Sequence, residues 1–204
     1  MDNCEEIQSD TYNKILEESV FLFSHTGFNG VSMRDIAMAV GITAPALYHH
    51  FPDKETLYRA TLEHAVRHRT ARIRKSLETS GTAEQRLELL IRAMVSLMGE
   101  DEIFRRLVQR VLLDGSEVQH LLLSGDVVEE TFRAVVKLLK EIAPDCDAYL
   151  LVLSIAGMII HIFEMRTVRS LFPWGRPEHT DPDYIARQIT QLLLQGIGPV
   201  LTPE

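Results

Sequence analysis

The chain has 204 residues, of which 46% are hydrophobic and 25% charged, and its formal net charge is −8. These values are typical of the soluble globular class, with room for one or two domains. Cys4 and Cys146 lie far apart in polar surroundings, which argues against a disulfide framework and against a cysteine metal cluster. The acidic N-terminus lacks the basic start and apolar core of a signal peptide, so we expect a cytoplasmic protein.

The charge is unevenly distributed along the chain. Residues 27–76 contain eight Lys or Arg and four acidic residues, whereas residues 81–204 contain 12 basic and 18 acidic residues. A basic segment attached to an acidic body suits a protein that has one end facing phosphates. Ordinary scatter of charges over helix surfaces explains the same numbers equally well, so the charge alone leaves both interpretations open.

The first predicted helix contains residues 12–23, where apolar residues recur at three- and four-residue spacing. Gly27 supplies its stop, because glycine tolerates the left-handed conformation that ends many helices. Ser32 and Asp35 then approximate a capping box, in which each side chain reaches the other residue's free backbone N–H. The sequence therefore predicts a short second helix over residues 33–40.

The next signals predict a turn followed by two more helices. Gly41 breaks the second helix, and Thr43 is placed to cap a third helix over about residues 44–50. A Pro-Asp pair ending at Asp53 closes this helix and caps a fourth one. The run over residues 54–77 contains no Gly or Pro, so we expect one continuous helix there.

The rest of the chain keeps the helical pattern without strand-length alternation or an internal repeat, and it predicts an all-α fold. Residues 148–163 carry no formal charge, but they fall short of the roughly 20 apolar residues that cross a bilayer. We expect a helix buried within its domain and across a dimer interface, and no membrane span. Glycines and prolines separate the later predicted helices, at about residues 83–98, 101–113, 116–124, 126–142, 147–171 and 183–196.

The second and third predicted helices meet the physical requirements of two short helices that cross steeply. Ala37 is the small residue that the crossing needs, and Gly41 supplies the turn. Apolar side chains such as Ile36 and Leu47 fill the wedge between the helices. Plain helical hairpins contain crossing helices as well, so this spacing alone does not separate a DNA-binding motif from a structural hairpin.

Three motifs in this part of the chain are more specific. The sequence has SMRDIA at residues 32–37, GIT at residues 41–43 and LYHHFPDKETL at residues 47–57. Over about residues 10–60 this pattern strongly resembles the TetR family of transcription regulators. The resemblance spans less than a third of the chain, because the remainder matches the family only in length, helicity and helix order.

The resemblance implies a three-helix helix-turn-helix DNA-binding head, attached to a C-terminal helical bundle that binds a ligand and dimerises. We assign the head to residues 8–53, a connecting helix to residues 54–77 and the ligand-binding and dimerisation domain to residues 78–204. The implied function is a one-component transcriptional regulator, in particular a repressor that a small ligand releases from a palindromic operator. The continuous connecting helix would transmit a tilt from the bundle to the head as a rigid rod.

The resemblance implies that the chain forms a homodimer, because a two-fold dimer matches a palindromic operator. The long apolar helix over residues 147–171 and the last helix over residues 183–196 are the expected dimer contacts. We expect Ile155 and Leu193 to face the partner protomer, so that a charge at either position separates the protomers.

The resemblance also places DNA contacts on particular residues. Contacts with phosphates position a protein without reading the base sequence. The base-facing residues 44–46 are small and apolar, unlike family members with Lys or Asn there, so specificity is expected from thymine methyl contacts, His49, Arg34 and DNA shape. A plain helix cap at Thr43 and an ordinary half-buried aromatic at Tyr48 are the structural alternatives. The expected phosphate contacts are Thr43, Tyr48, His50 and Lys54, and the full candidate set adds Ser32, Arg34, Ala44, Pro45, Ala46 and His49.

Bulky apolar side chains and methionines recur in the predicted central helices of the bundle. A lining of this kind adapts to apolar molecules of varied shape, so we expect a lipophilic or aromatic small-molecule effector. An ordinary hydrophobic core is the competing interpretation. The candidate lining residues are Met94, Met98, Phe104, Leu107, Val108, Val111, Phe132, Met158, His161, Met165 and Trp174.

Signals for enzymatic chemistry are weak. His64 and His68 are four residues apart on one helix face, but no third metal ligand is evident. Glu117 and His120 match one half of a di-iron motif that such proteins use twice. The sequence therefore predicts no enzyme, no metal and no cofactor. The main alternative function is a helical module that binds a small molecule or a protein and no longer contacts DNA.

Overall fold

The computed structural model describes residues 2–113, 126–165, 171 and 173–196. These residues form helices and turns and contain no strand, which confirms the all-α prediction. The predicted helix at residues 116–124 lies outside the described residues. A short 3-10 helix covers Pro177–Thr180. The α-helices are α1 (Asp2–Thr26), α2 (Met33–Val40), α3 (Ala44–His50), α4 (Lys54–Arg69), α5 (Ala71–Glu78), α6 (Ala83–Glu100), α7 (Glu102–Leu113), α8 (Asp126–Ile142), α9 (Ala148–Glu164) and α10 (Pro182–Gly196).

The described residues divide into two compact units. The first unit contains Met1–Arg69 and Glu102–Glu129, and the second contains Thr70–Asp101 and Glu130–Glu204. Helix α7 therefore groups with the N-terminal helices, although it follows α6 in the sequence.

The first unit is built around α1, which contacts α2, α4 and α7. Ile15 and Phe23 on α1 have no exposed surface, and Tyr58 on α4 is equally buried. The rings of Phe23 and Phe28 both meet Tyr58 edge to face, with centroids 4.6 and 5.0 Å away. Aromatic pairs in this geometry add about 0.5–1.5 kcal/mol beyond the burial of their area. This cluster holds α4 against α1 and against the segment that precedes α2.

The ends of α2 and α3 follow the predicted capping chemistry. Ser32 Oγ accepts a hydrogen bond from Asp35 N at 3.2 Å, and Asp35 Oδ2 accepts one from Ser32 N at 2.8 Å. Gly41 ends α2 with φ of 80°. Thr43 caps α3, since its side-chain oxygen accepts from the backbone N–H three residues later at 3.3 Å. Asp53 caps α4 in the same way at 2.7 Å.

The prediction of one continuous helix over residues 54–77 is wrong. Thr70 separates α4 from α5, with φ of −91° and ψ of 7° outside the helical region. Threonine is β-branched and therefore a weak helix former. Arg69 and Arg72 also stand three residues apart, so a continuous helix would bring two like charges together on one face. Neither the weak helix propensity of Thr70 nor the repulsion between the two arginines is visible when a helix is predicted only from the lack of Gly and Pro.

The second unit is built around α6, which contacts α5, α9 and α10. Leu87, Leu90, Ile91 and Val95 of α6 have no exposed surface. Gly99 lies near the end of this helix, where an added Cβ would come within 3.3 Å of the Phe163 ring on α9. The glycine thus permits a close approach between α6 and α9.

Helix α9 begins as predicted but ends early. Asp147 caps its start by accepting a hydrogen bond from Leu150 N at 3.1 Å. The helix ends at Glu164 with Met165 as its cap, so the predicted end at residue 171 is wrong. The β-branched pair Thr167 and Val168 follows in the sequence, and such residues weaken a helix that periodicity alone would extend. Among the described helices, none combines the length and the apolar character that a bilayer crossing requires.

Candidate nucleic-acid interface and effector cavities

Helix α3 is anchored by one residue and exposes those around it. Leu47 is completely buried, whereas Tyr48 has half of its surface exposed. His49 and Pro45 are exposed as well, and residues 44 and 46 are half-buried alanines. The accessible surface of α3 is therefore formed by residues that were predicted to face bases and phosphates.

Thr43 and His50 lie at the two ends of α3. The Thr43 side-chain oxygen accepts the capping hydrogen bond, and its hydroxyl hydrogen remains a donor that suits a phosphate oxygen. Capping and phosphate binding are thus compatible at this residue. His50 is half-buried, and its ring lies 6.3 Å from the ring of Tyr12 on α1.

Helix α2 presents a second exposed stripe. Ser32 and Arg34 are exposed, as expected for DNA-contacting residues. Met38 stands one turn after Arg34 on the same face, and 77% of its surface is exposed. Sequence reasoning missed Met38 because apolar residues within an amphipathic helix are normally counted as core. Met38 follows Arg34 by four residues and therefore shares its helix face, which is the sequence signal that could have predicted its exposure.

Two lysines hold backbone carbonyls on either side of α2. The Lys54 Nζ atom donates to Phe28 O at 2.9 Å and to Val31 O at 3.1 Å, and it lies 4.2 Å from the centroid of the Phe28 ring. Lys14 Nζ donates to Val40 O at 2.9 Å, at the other end of α2. The ammonium group of Lys54 therefore has one N–H left for a phosphate. No local sequence pattern indicates this second, structural role of Lys54.

His64 and His68 belong to an ion-pair cluster in the first unit. His64 Nε2 lies 2.6 Å from Glu17 Oε1, and Arg69 lies 3.7 Å from Glu17. The centroid of the His68 ring is 4.4 Å from that of His64, with the two rings tilted by 48°. Burial raises the pKa of Glu17, but the hydrogen bond from His64 and the charge of Arg69 outweigh it and hold the pKa below its ordinary value of 4.5. Within the described part of the chain, no three His, Cys, Asp or Glu side chains group as metal ligands. Glu117 and His120 lie outside that part.

The residues predicted to line an effector cavity are divided between the two units. On α7 of the first unit, Phe104, Leu107 and Val111 are buried and Val108 is half-buried. In the second unit His161 is exposed, and Trp174 has 76% of its surface exposed. The other predicted lining residues of the second unit are Met98, which is buried, and Met94, Phe132, Met158 and Met165, which are half-buried.

The second unit contains a cavity and a groove with other linings. The cavity, of about 300 Å³, has walls from α5, α6 and α8. A more open groove of about 310 Å³ lies between α5 and α6. Both carry charged side chains, which the apolar pattern used for the sequence prediction did not include. The cavity lining is Arg74, Leu77, Glu78, Arg86, Glu130, Thr131, Ala134, Lys137, Leu138 and Glu141.

Large apolar side chains are exposed on α9 and on α10, and together we call them the exposed apolar face of α9 and α10. Tyr149, Leu150 and Leu153 on α9 have 59%, 56% and 47% of their surface exposed, and Leu192 on α10 has 61% exposed. Large apolar side chains exposed in this way mark interaction surfaces.

The expectation that Ile155 and Leu193 face a partner protomer is wrong. Both are buried inside the second unit, with 2% and 6% of their surface exposed. Helix α9 is apolar nearly all round, so its periodicity did not reveal which face packs inward.

Two family models match the chain. The model described as "Bacterial regulatory proteins, tetR family" matches residues 15–61, which contain α2 and α3. The model of the C-terminal domain of "HTH-type transcriptional dual regulator CecR" matches residues 83–197, more than half of the chain. The two matches together cover the candidate DNA-binding surface and helices α6 to α10.

Curated relatives and a solved structure extend these matches. The HTH-type transcriptional regulator UidR of Escherichia coli (strain K12) is 30% identical over 115 residues, 56% of this chain and 57% of UidR, so the chain spans less than two thirds of this relative. IcaR of Staphylococcus epidermidis, a negative transcriptional regulator of the biofilm operon icaADBC, is 37% identical over 51 residues, 25% of this chain and 28% of IcaR. FadR from Bacillus subtilis in complex with stearoyl-CoA has the same fold, with a TM-score of 0.73 at 18% identity over 91% of this chain and 98% of FadR.

Proposed function

The chain belongs to the TetR family of bacterial regulatory proteins, and on that premise we propose that it is a repressor, which binds a palindromic operator as a homodimer and leaves it when a small molecule binds. Residues 8–53 contact the DNA, and the rest of the chain binds the effector and the partner protomer. Such a regulator acts on DNA in the cytoplasm, and we assign it no enzymatic activity.

The observation that carries the proposal is the pair α2 and α3. Leu47 is completely buried, whereas Tyr48 and His49 on α3 and Arg34 and Met38 on α2 are exposed. A capped, rigid helix with one buried anchor is what the second helix of a helix-turn-helix needs in order to enter a major groove. Phosphate contacts from Tyr48 then fix its position, and His49 reads base edges.

The proposed dimer uses the exposed apolar face of α9 and α10. The exposed side chains of Tyr149, Leu153 and Leu192 support this assignment, because a free protomer would leave them in water. A single head reads few base pairs, whereas a two-fold dimer reads two half-sites about one helical turn apart.

The proposed effector has an apolar or aromatic portion. The stearoyl-CoA bound by the related FadR structure supports a ligand of this kind, since its acyl chain is apolar. Repression is supported by IcaR, which is named as a negative regulator. If the effector favours a dimer whose heads do not fit the operator, operator and effector weaken each other's binding by the same factor, typically about 5–150-fold.

Selection of binding sites from random double-stranded DNA tests the proposal. We expect wild-type protein to enrich a palindrome with half-sites about 10 base pairs apart or slightly more. The double variant Tyr48→Ala/His49→Ala alters exposed residues and is expected to enrich no sequence. Arg106→Ala removes an exposed cation that pairs with Glu102, and this matched control is expected to enrich the wild-type sequence.

The alternative function, a helical binding module that no longer contacts DNA, predicts a different result. In that case wild-type protein enriches no sequence at any salt concentration. Binding of a small molecule without any DNA binding would then assign the chain to the alternative.

A further inference from the structure

The groove between α5 and α6 is formed by two helix faces with the same residue spacing. Four lining residues of α6 follow one another at intervals of three, one and three, and the lining residues of α5 begin with the same spacing, which places the residues of each helix on a single stripe. Two such stripes face each other across about 310 Å³. The stripe on α5 is Arg72, Lys75 and Ser76, the stripe on α6 is Leu89, Arg92, Ala93 and Ser96, and Thr79 lines the groove just after the end of α5.

The charge of this lining is of one sign. Arg72, Lys75 and Arg92 are cationic, and none of the described residues that line the groove is acidic. The side chains of Arg72 and Arg92 keep 76% and 41% of their surface exposed, so an incoming ligand reaches both. Guanidinium groups donate paired, charge-assisted hydrogen bonds to phosphate oxygens.

Carboxylates from outside the lining hold the two arginines. Glu100 lies 3.3 Å from Arg72, and Asp183 lies 3.0 Å from Arg92, which also contacts Glu88 at 3.3 Å. Each of these ion pairs is exposed to solvent, and exposed pairs contribute little free energy. A phosphate group carries more charge and more acceptor oxygens than one carboxylate, so it replaces these partners readily.

The α6 wall also offers apolar surface beside the cations. Leu89 has 39% of its surface exposed, and the half-buried Ala93 follows it on the same stripe. Ser96 adds a hydroxyl group at the end of the stripe. The groove therefore combines a phosphate-binding edge with a short apolar strip.

We propose that this groove binds the phosphate groups of a small phosphate ester with an apolar portion, and that it is the site on the protein where the anionic part of the effector binds. The second statement rests on the proposed regulatory function, whereas the first rests only on the groove. Arg72 and Lys75 provide the main phosphate contacts, and Arg92 provides the third.

Calorimetric titration of the full chain without DNA tests the site, with inorganic pyrophosphate and butyryl-CoA as probes. Arg72→Gln and Lys75→Gln are each expected to weaken the binding of both probes about tenfold, because each removes a charge-assisted contact. Glu100→Gln is expected to strengthen binding roughly twofold, because it releases Arg72 from its partner. Arg74→Gln is the matched control, since Arg74 lies on the same helix but lines the other cavity.

The proposal that the groove is the binding site is supported if Arg72→Gln lowers and Glu100→Gln raises the affinity for the probes while Arg74→Gln leaves it unchanged. Equal affinities of wild type and Arg72→Gln would overturn it, and so would a loss confined to Arg74→Gln. Butyryl-CoA is expected to bind more tightly than pyrophosphate, and the reverse order would contradict the apolar portion. Because the titration contains no DNA, a failure here is distinguishable from a failure of operator binding.

Discussion

The ammonium group of Lys54 combines two hydrogen bonds to backbone carbonyls with a contact over the Phe28 ring. We predict that Lys54→Met lowers the free energy of unfolding by about 1–3 kcal/mol, since charged hydrogen bonds and a cation–π contact are lost together. Urea denaturation measures the change. Lys137→Met, at an exposed lysine of the other unit, is the control and should change stability by less than about 0.5 kcal/mol. Equal losses in the two variants would refute the structural role of Lys54.

Glu17 gives the first unit a pH dependence of known sign. Its pKa is lowered in the folded chain, so its ion pair stabilises the fold above the ordinary value of 4.5 and loses this effect as the pH falls through the folded pKa. We predict that Glu17→Gln is less stable than wild type at pH 6 and that the difference shrinks toward pH 4 and below. Melting temperatures across this range measure it.

The neighbouring variant Glu18→Gln is the control for this pH dependence. The stability difference between Glu18→Gln and wild type should stay small at every pH, because Glu18 forms no ion pair within the residues that the structure describes. A difference for Glu17→Gln that stays constant with pH would show that the His64 and Arg69 contacts do not stabilise the charged carboxylate.

At the scale of single elements, Gly41 decides where α2 ends. Its φ of 80° is unfavourable for other residues, and an added Cβ would meet no atom within 4 Å. We predict that Gly41→Ala costs about 1–2 kcal/mol, entirely through the backbone. Gly157→Ala is the matched control inside α9, where a Cβ also meets no neighbouring atom within 4 Å in the part of the chain that the structure describes. There, alanine should not destabilise the protomer, because it is the better helix former. Thermal unfolding of both variants measures the contrast.

The helix ends within residues 8–53 could be predicted from the sequence because capping residues mark them. Helix ends without such residues could not be predicted in the same way. Ser32, Gly41, Thr43 and Asp53 each fix a helix end through their own side chain or backbone, and all four ends were predicted. Thr70 carries no such signal, because a helix break there depends on weak propensity and charge repulsion added together. The carbonyl contacts of Lys54 span more than 20 residues and leave no mark in a local pattern.

The same limit applies to faces of the later helices. The apolar sequence of α9 predicts that the helix packs against other helices, but it does not predict which face is buried. Only the packing of α9 on α6 shows that Ile155 points inward and Leu153 outward. The cavity and the groove of the second unit are lined by charged side chains, which an apolar pattern does not detect.

At the scale of the whole molecule, the exposed apolar face of α9 and α10 is expected to be covered by a second chain. We predict that Leu153→Glu produces a monomer, because a charge at this exposed position costs the fold little but opposes burial in a dimer. Sedimentation at micromolar concentration measures the change. Leu113→Glu, at a leucine of the first unit with 78% of its surface exposed, is the control and should remain a dimer. A wild-type chain that sediments as a monomer would contradict the prediction.

The dimeric, operator-reading arrangement is tested most directly by the affinity for a selected palindrome before and after one half-site is scrambled. If each half-site is bound by one head, scrambling should weaken binding by wild-type protein at least about a hundredfold, because several base contacts are lost at once. The Leu153→Glu monomer should bind the intact and the scrambled site with nearly the same weak affinity. Full affinity of the wild-type protein for a single half-site would contradict the account.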